Sequence, residues 1–369
     1  MSRLPGSLLP LLASGALVLP ACAPASAPPA DAPAAAARVQ PAAEVRLENV
    51  RASLSALAAD SMEGRMTASP GASRAARFIA GELRGYGIEP AGDAGLPRDS
   101  AYFQRVPLAA GQQPGGRRPF TLLSDIPGAE TLSAERRLHD VNVIGIIRGS
   151  DPRLREEAVV VNAHYDHVGI GRPVAGDSIY NGADDNASGV VTVLEVARAL
   201  ARGPAPRRTV VFLLTTGEEV GLLGTRWYLD NPVVPLDRTV ATLVIEMIGR
   251  PDSLAGGPGR GWLTGYERST KGEMLTAAGV PIIPDPRPDQ NFFERSDNIA
   301  FARRGIPAHT LSSFGLHADY HRPSDQVERI DFEHMTHVVG AAVRAVRLLA
   351  DSDEVPRWNP GGRPELPGI

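Results

Sequence analysis

Histidine and acidic side chains follow four apolar runs of the sequence, at the point where each run ends. The pairs of run and motif are 158–161 with His164-Tyr165-Asp166-His167, Thr209–Thr215 with Gly217-Glu218-Glu219, 240–245 with Glu246, and 306–311 with His317-Ala318-Asp319-Tyr320-His321. Imidazole and carboxylate together are donors that a borderline cation such as zinc accepts. If the runs are neighbouring strands, their carboxyl ends meet at one edge of a sheet, where ligands bind in open α/β folds.

A fifth motif, Gly182-Ala183-Asp184-Asp185-Asn186-Ala187-Ser188-Gly189, directly precedes a helical pattern. Taken alone, its aspartates could simply cap that helix, and Glu218-Glu219 could lie on a solvated turn. Such explanations would have to hold independently at every strand end. The combined pattern therefore favours a metal site.

Apolar runs that predict strands alternate with helical patterns along the chain. The predicted strands are 141–147, 158–161, Thr209–Thr215, 240–245 and 306–311, and the predicted helices are 44–61, 72–86, 188–202, 221–229 and 331–350. Continuous apolar strands are typical of sheets covered on both faces. We expect an α/β fold, a three-layer sandwich with a central, mostly parallel mixed β-sheet flanked by helices, with edge strands and loops within 88–138.

Four histidines outside the strand-end pairs need separate interpretation. His309 lies within a strand run and is expected in the core. His334 and His337 are expected on the exposed face of the last helix, and His139 in a loop.

The composition excludes several classes of function. The formal net charge is -4 without a block of one sign, so a nucleic-acid partner is not expected. The single cysteine, Cys22, excludes an internal disulfide framework and a zinc ribbon. The sequence contains no Gly-x-Ser-x-Gly, the nucleophile turn of many serine hydrolases.

The N-terminal segment has the pattern of an export signal. Arg3 precedes an apolar stretch that is too short to span a bilayer, and residues 1–22 end in Leu19-Pro20-Ala21-Cys22, which resembles a lipobox. We expect lipidation at Cys22, which would be the only membrane attachment. The alternative is ordinary cleavage after 25–27 and a secreted protein. Either way the protein is expected to be exported, to the periplasm or cell envelope if it is lipid-anchored.

The remaining chain divides into three expected segments. Residues 23–43 are rich in Ala and Pro and are expected to form a tether. Residues 44–351 are expected to form one catalytic domain, and 352–369 a tail rich in Pro and Gly.

The ordered series of motifs resembles the co-catalytic dizinc exopeptidase family, which includes bacterial leucyl aminopeptidases and glutamate carboxypeptidase II. The resemblance extends to Met247-Ile248-Gly249, Tyr320-His321-x-Pro323-x-Asp325 and Met62-Glu63-Gly64-Arg65, and covers about residues 45–350. It implies two zinc ions per chain. Position by position, it implies that His164 and Glu246 bind one zinc, that Glu219 and His321 bind the other, and that Asp185 bridges the two. It also implies that Asp166 orients His164. Glu218 is implied as the general base, and Tyr320 as the residue that stabilises the oxyanion. The Glu246 position is Asp in many members, which bears on metal geometry.

The expected function is that of an aminopeptidase. The carboxylates of the site would hold the free α-ammonium of a peptide substrate, and 252–295, with Phe292 and Phe293, is expected to frame the pocket for its side chain. A carboxypeptidase or dipeptidase of the same family is the alternative, and the many arginines leave it open. A non-catalytic, receptor-like binding protein should have lost ligands or the base, and none is lost here.

Overall fold

The fold is built from twelve strands and seven α-helices in the part of the chain that the structure describes, a computed structural model of residues 45–111 and 119–365. The strands are β1 (Glu89–Pro90), β2 (Phe103–Ala110), β3 (Phe120–Leu122), β4 (Arg137–Ile147), β5 (Ala158–His164), β6 (Gly169–Val174), β7 (Asp177–Tyr180), β8 (Thr209–Thr215), β9 (Thr239–Glu246), β10 (Gly261–Leu263), β11 (Ile282–Pro284) and β12 (Ala308–Ser312). The helices are α1 (Leu47–Leu57), α2 (Pro70–Gly85), α3 (Gly189–Arg202), α4 (Leu223–Asp230), α5 (Lys271–Ala277), α6 (Asn298–Arg303) and α7 (Phe332–Asp351).

A ten-stranded sheet forms the middle layer, with the strand order β11-β10-β12-β9-β5-β8-β4-β2-β3 and with β1 paired to β4. The four neighbours β12, β9, β5 and β8 are parallel, whereas β4 and β2 continue the sheet in antiparallel pairs. The predicted α/β sandwich with a mixed sheet is confirmed. The strand predicted at 141–147 differs from the other predicted strands because it runs antiparallel to its neighbour β8. Since it begins at Arg137, His139 lies in this strand and not in the predicted loop.

Helices cover both faces of this sheet. The larger core cluster joins α1, α2, α3 and α7 to one face, and a second cluster joins α4 and α6 to the other. Every residue of β5 and β8 is buried, which explains their continuous apolar sequences. Helix α2 begins where the Ser69 side chain accepts a hydrogen bond from the N–H of Ala72, and the Asp331 side chain caps α7 in the same way.

Two histidines that the sequence assigned to different environments are both buried. His309 lies in the core as predicted, where its Nδ1 is 2.7 Å from the carbonyl oxygen of Thr264. The prediction for His334 is wrong, because the loop that carries Gly259 covers its side of α7 and donates its N–H to Nδ1 of His334 over 2.9 Å. His337, one helical turn further along, is exposed as expected.

The predicted signal segment 1–22, the tether 23–43 and Cys22 lie outside the described residues. Within the described ranges, no helix combines the length and the hydropathy that a membrane span requires.

Part of the predicted C-terminal tail packs on the domain. There Trp358 donates its indole N–H to the carbonyl oxygen of Gly305.

Lys271, the only lysine of the chain, is fully buried at the start of α5. Its amine donates to the carbonyl oxygens of Thr242 in β9 and Pro307 just before β12, at 2.6 and 2.7 Å. The side chain thus ties α5 to two neighbouring parallel strands. Burial lowers the pKa of Lys271 from 10.5 to about 7.

This environment predicts a pH-dependent contribution to stability. Below pH 7 the amine is charged in both folded and unfolded states, and the cost of burying the charge is fully present. Between pH 7 and 10.5 only the unfolded state keeps the proton, so stability rises with pH by up to roughly 5 kcal/mol. A sample labelled with ¹³C at lysine Cε should give one resonance with a midpoint near 7.

Lys271→Met is the matched control for this effect. The variant loses the two hydrogen bonds at every pH, but the difference in unfolding free energy from wild type should grow in favour of wild type as pH rises from 7 to 10. A midpoint near 10.5 together with a pH-independent difference would contradict the prediction.

Candidate metal centre

The side chains predicted from the strand ends meet at the carboxyl edge of the four parallel strands. His164 is the last residue of β5 and Glu246 the last of β9, while Glu219 and His321 lie in the loops after β8 and β12. Asp185 lies in the turn before α3. The structure therefore brings together all five residues that the resemblance implied as ligands, in two groups that share Asp185.

The first group consists of His164, Asp185 and Glu246. Nε2 of His164 lies 3.2 Å from Oε1 of Glu246 and 3.5 Å from Oδ1 of Asp185. His164 is 1 % exposed, so its ring is held within the protein. Ser296, a residue that the sequence reasoning missed, donates its hydroxyl to the other carboxylate oxygen of Glu246.

The second group contains one residue more than the sequence analysis assigned. Nε2 of His321 lies 3.1 Å from Oδ2 of Asp185 and 3.1 Å from Oε2 of Glu219. His167 completes the group, because its Nδ1 lies 2.8 Å from Oε1 of Glu219 and 3.8 Å from Oδ2 of Asp185. The signal was present in the sequence, since His167 belongs to the same motif as His164.

The turn that carries Asp185 is held by a buried carboxylate. Asp325 accepts the main-chain N–H groups of Asp184 and Asp185 at 3.0 Å each, and it pairs with Arg250 at 3.2 Å. The Asp184 side chain contributes no atom to either group and instead accepts the N–H of Gly249 and contacts Nε2 of His317. The two adjacent aspartates therefore differ in their contacts, and only Asp185, the residue that the resemblance implied as a ligand, belongs to the donor groups.

A fully buried arginine lies behind the same turn. Arg65 donates to the main-chain carbonyl oxygens of four residues, Leu57, Tyr165, Asn181 and Gly182. Burial lowers its pKa to about 10, and the nearby carboxylates oppose that shift. Arg65 thus remains a cation that both fixes the backbone beside the site and offsets part of its negative charge.

Asp166 lies beside His164 with both its main-chain carbonyl and its carboxylate. The nearest acceptor for Nδ1–H of His164 is the main-chain carbonyl oxygen of Asp166 at 3.1 Å, while its carboxylate lies at 3.7 Å. That carboxylate accepts the main-chain N–H of Glu218 at 3.1 Å and the hydroxyl of Thr67 at 3.0 Å. Asp166 therefore links the end of β5 to the loop that carries Glu218.

The adjacent residues Glu218 and Glu219 experience opposite electrostatic environments. Burial, with the charges of Glu246 and Glu219, raises the pKa of Glu218 well above its ordinary value although His164 acts against this. For Glu219 burial acts in the same direction, but a hydrogen bond with His167 and the positive charge of the nearby His321 hold the pKa well below the ordinary value. A carboxyl group with a raised pKa suits proton transfer near neutral pH, and one held ionised suits a cation ligand.

Tyr320 lies beside the second group on the side that opens to solvent. Its ring stacks on that of His321 with the centroids 3.9 Å apart. Burial and the nearby carboxylates raise its pKa, so its hydroxyl keeps its proton and can act as a hydrogen-bond donor.

The two groups fit divalent cations of the zinc type. Each combines imidazole nitrogen with carboxylate oxygen. Nε2 of His321 is buried and makes no well-oriented hydrogen bond, although two carboxylate oxygens lie nearby. Despite burial, Asp185 and Glu219 raise the pKa of His321 to about 10, which means that the site favours positive charge.

Comparison with known families decides the classification. The model described as "Peptidase family M28" matches residues 142–346, which is more than half of the chain and includes every residue of the two groups. The chain belongs to peptidase family M28. The resemblance stated from the motifs is thereby confirmed, and this family is one of zinc-dependent peptidases.

Individual M28 relatives are similar to this chain over part of their length. A probable leucine aminopeptidase of Trichophyton verrucosum is 29 % identical over 230 residues, which are 58 % of each chain. A probable leucine aminopeptidase 2 of Aspergillus fumigatus is 30 % identical over 243 residues, 59 % of this chain and 46 % of the relative. The chain thus matches about half to three-fifths of the length of these curated relatives.

A solved structure confirms the M28 fold. The zinc aminopeptidase BSAP from Bacillus subtilis superposes with a TM-score of 0.58 at 17 % identity, over 84 % of this chain and 96 % of that chain. At that identity the similarity establishes the fold.

The position of Asp325 predicts a role in metal affinity. Asp325→Ala removes the acceptor for the two N–H groups that fix the Asp185 turn, so both groups should bind zinc less well. Residues that hold a ligand in place typically contribute about 10–100-fold in affinity. We expect a loss of that size in zinc dissociation constants measured by competition with a chelator.

Asp237→Ala is the matched control, because Asp237 is exposed and contacts neither group. Circular dichroism should show both variants folded. If folded Asp325→Ala binds zinc as tightly as the control, the turn does not depend on this carboxylate.

Proposed function

We propose that this protein is a two-zinc aminopeptidase that releases N-terminal residues from peptides. The observation that carries the proposal is the pair of donor groups sharing Asp185, with Glu218 in the adjoining loop. A non-catalytic protein on the same scaffold has no need for a complete set of donors and a carboxyl group with a raised pKa beside them.

The proposed ligands divide between two ions. His164 and Glu246 would hold one zinc, while His167, Glu219 and His321 would hold the other, and Asp185 would contribute one oxygen to each. When bound, two such ions would lower the pKa of a shared water and polarise the scissile carbonyl.

Glu218 is the proposed general base. Its raised pKa allows it to accept a proton from the attacking water near neutral pH and to deliver that proton to the leaving amine. Asp166 supports this role by fixing the main-chain N–H of Glu218. Tyr320, whose hydroxyl remains protonated, would donate a hydrogen bond to the tetrahedral oxyanion.

The substrate class follows from the charge of the site. The acidic side chains of the site, among them Glu218, which is not a proposed ligand, would stabilise the α-ammonium group of a peptide. A free N-terminus therefore satisfies the site better than a free carboxylate would, which favours an aminopeptidase over a carboxypeptidase.

Paired substitutions of the two adjacent glutamates test this mechanism. Glu218→Gln should keep two zincs per chain and a KM near that of wild type, while kcat for leucyl-4-nitroanilide falls by roughly 10²–10⁴-fold. Glu219→Gln should lose one zinc on dialysis, because an amide is a weak zinc ligand, and should regain part of its activity in excess zinc. Metal content and kcat are measured on the same preparations.

His167→Ala extends the same series. If His167 is a ligand, this variant should resemble Glu219→Gln in metal content and in its rescue by zinc. Loss of zinc from Glu218→Gln with retention in Glu219→Gln would invert the assignment. Unchanged kcat in both glutamate variants would place the active site elsewhere.

We also propose that the protein is exported and anchored by a lipid on Cys22. The support is the sequence pattern of 1–22 followed by the Ala- and Pro-rich segment 23–43, long enough to hold the catalytic domain away from a membrane surface. Cys22→Ser should move the protein from the membrane fraction to the soluble fraction, as followed by immunoblotting. Unchanged fractionation would favour ordinary signal cleavage and would leave the catalytic proposal intact.

A further inference from the structure

A cavity adjoins the first donor group and opens beside it. The cavity shares Glu246 and Tyr320 with the candidate metal centre. A peptide whose N-terminus lies against the metal centre would therefore place its first side chain at this cavity.

Aromatic rings form much of the cavity wall. Trp262 and Phe292 have centroids 5.1 Å apart, and Phe314 packs edge-on against Phe292 at 6.0 Å. Phe314 in turn lies 5.4 Å from Tyr320, so the packed rings extend to the metal centre. Phe293, which the sequence analysis also expected at the pocket, packs instead into the core beneath α6.

Arg295, an exposed residue, is the cation at the edge of this cavity. Its guanidinium carbon lies 5.0 Å from the centroid of Phe292, within the range of a cation–π contact. Within residues 45–111 and 119–365, the guanidinium makes no hydrogen bond and no ion pair. By contrast, the arginines elsewhere around the site are engaged: Arg65 by four carbonyl oxygens, Arg250 by Asp319 and Asp325, and Arg287 by Asp252.

The acidic residue of the cavity does not neutralise Arg295. The carboxylate of Glu246 is directed to His164 through one oxygen and to Ser296 through the other. A second donor in the wall also lacks an acceptor in the described structure, namely the indole N–H of Trp262. An aliphatic side chain in the cavity would leave the guanidinium of Arg295 paired with water only, whereas a carboxylate would supply a charged acceptor for it.

We propose that Arg295 binds the side-chain carboxylate of an N-terminal acidic residue, so that the enzyme prefers glutamyl and aspartyl peptides. The aromatic wall contacts the methylene groups of such a side chain, and Arg295 pairs with its charge. This inference rests on the proposed aminopeptidase function and names its substrate class.

The test compares kcat/KM for glutamyl-, glutaminyl- and leucyl-4-nitroanilide, which carry no terminal carboxylate. Wild type should prefer the glutamyl substrate. In Arg295→Gln the ratio of glutamyl to leucyl kcat/KM should fall by about 5-fold, the upper range for an ion pair at a solvent-exposed site. Arg295→Glu should favour arginyl-4-nitroanilide over the glutamyl substrate.

Arg344→Gln is the matched control, since Arg344 is exposed on α7 and does not line the cavity. It should keep the wild-type ratio. A ratio that changes by less than about 2-fold in Arg295→Gln would overturn the proposal. If zinc-loaded wild type cleaves no substrate of the panel, the proposed aminopeptidase function is wrong. If it cleaves the leucyl substrate but does not prefer the glutamyl substrate, only the proposed acidic preference is wrong.

A second pair of substrates distinguishes the source of the carboxylate. Leu-Leu carries a terminal carboxylate that Leu-Leu amide lacks, and neither has an acidic side chain. If Arg295→Gln weakened hydrolysis of Leu-Leu only, Arg295 would bind the substrate's C-terminus and the side-chain assignment would be wrong. Equal effects on the two dipeptides, with a lowered glutamyl ratio, support the assignment.

Discussion

The carboxylates of Asp185, Glu218, Glu219 and Glu246 lie at one edge of the sheet, and their mutual repulsion is the constraint that the surrounding residues must offset. Like charges in a poorly solvated region interact strongly and would otherwise be neutralised by proton uptake. The chain places three imidazoles between the carboxylates of the two donor groups, and it buries a guanidinium behind the bridging turn. Burial, together with the charges of Glu246 and Glu219, raises the pKa of Glu218 in this region.

Acidic residues next to the donor groups orient the backbone. Asp325 accepts the N–H of Asp185, and Asp166 accepts the N–H of Glu218. Asp184 accepts the N–H of Gly249, just beyond the end of β9. Each bond fixes a loop or turn at the carboxyl edge of the sheet, so the carboxylates that would bind metal and those that position them are interleaved along the chain. This arrangement explains why so many acids occur in one region without all of them serving as ligands.

The sequence was most informative where function depends on local order along the chain. The end of a buried strand is a local feature, so the order of residues alone was enough to place His164, Glu246 and the Glu218-Glu219 pair. Contacts over long sequence separations could not be foreseen. The Ser296 hydroxyl reaches Glu246 across 50 residues, and the Gly259 loop covers His334 across 75. The direction of the strand at 141–147 was left unassigned for the same reason, because its pairing with β8 leaves no mark on its apolar sequence.

The two donor groups differ in number and in surroundings, and that difference suggests a division of roles between them. The group with His167 brings four donors together, whereas the group with Glu246 brings three. His167 packs closely against Gly182, whose φ of +57° and lack of a Cβ allow the approach, since a Cβ there would lie 2.6 Å from the ring. Glu246 instead borders the aromatic cavity. The smaller group is therefore also the one next to the cavity, which under the proposed function would receive the side chain of the substrate.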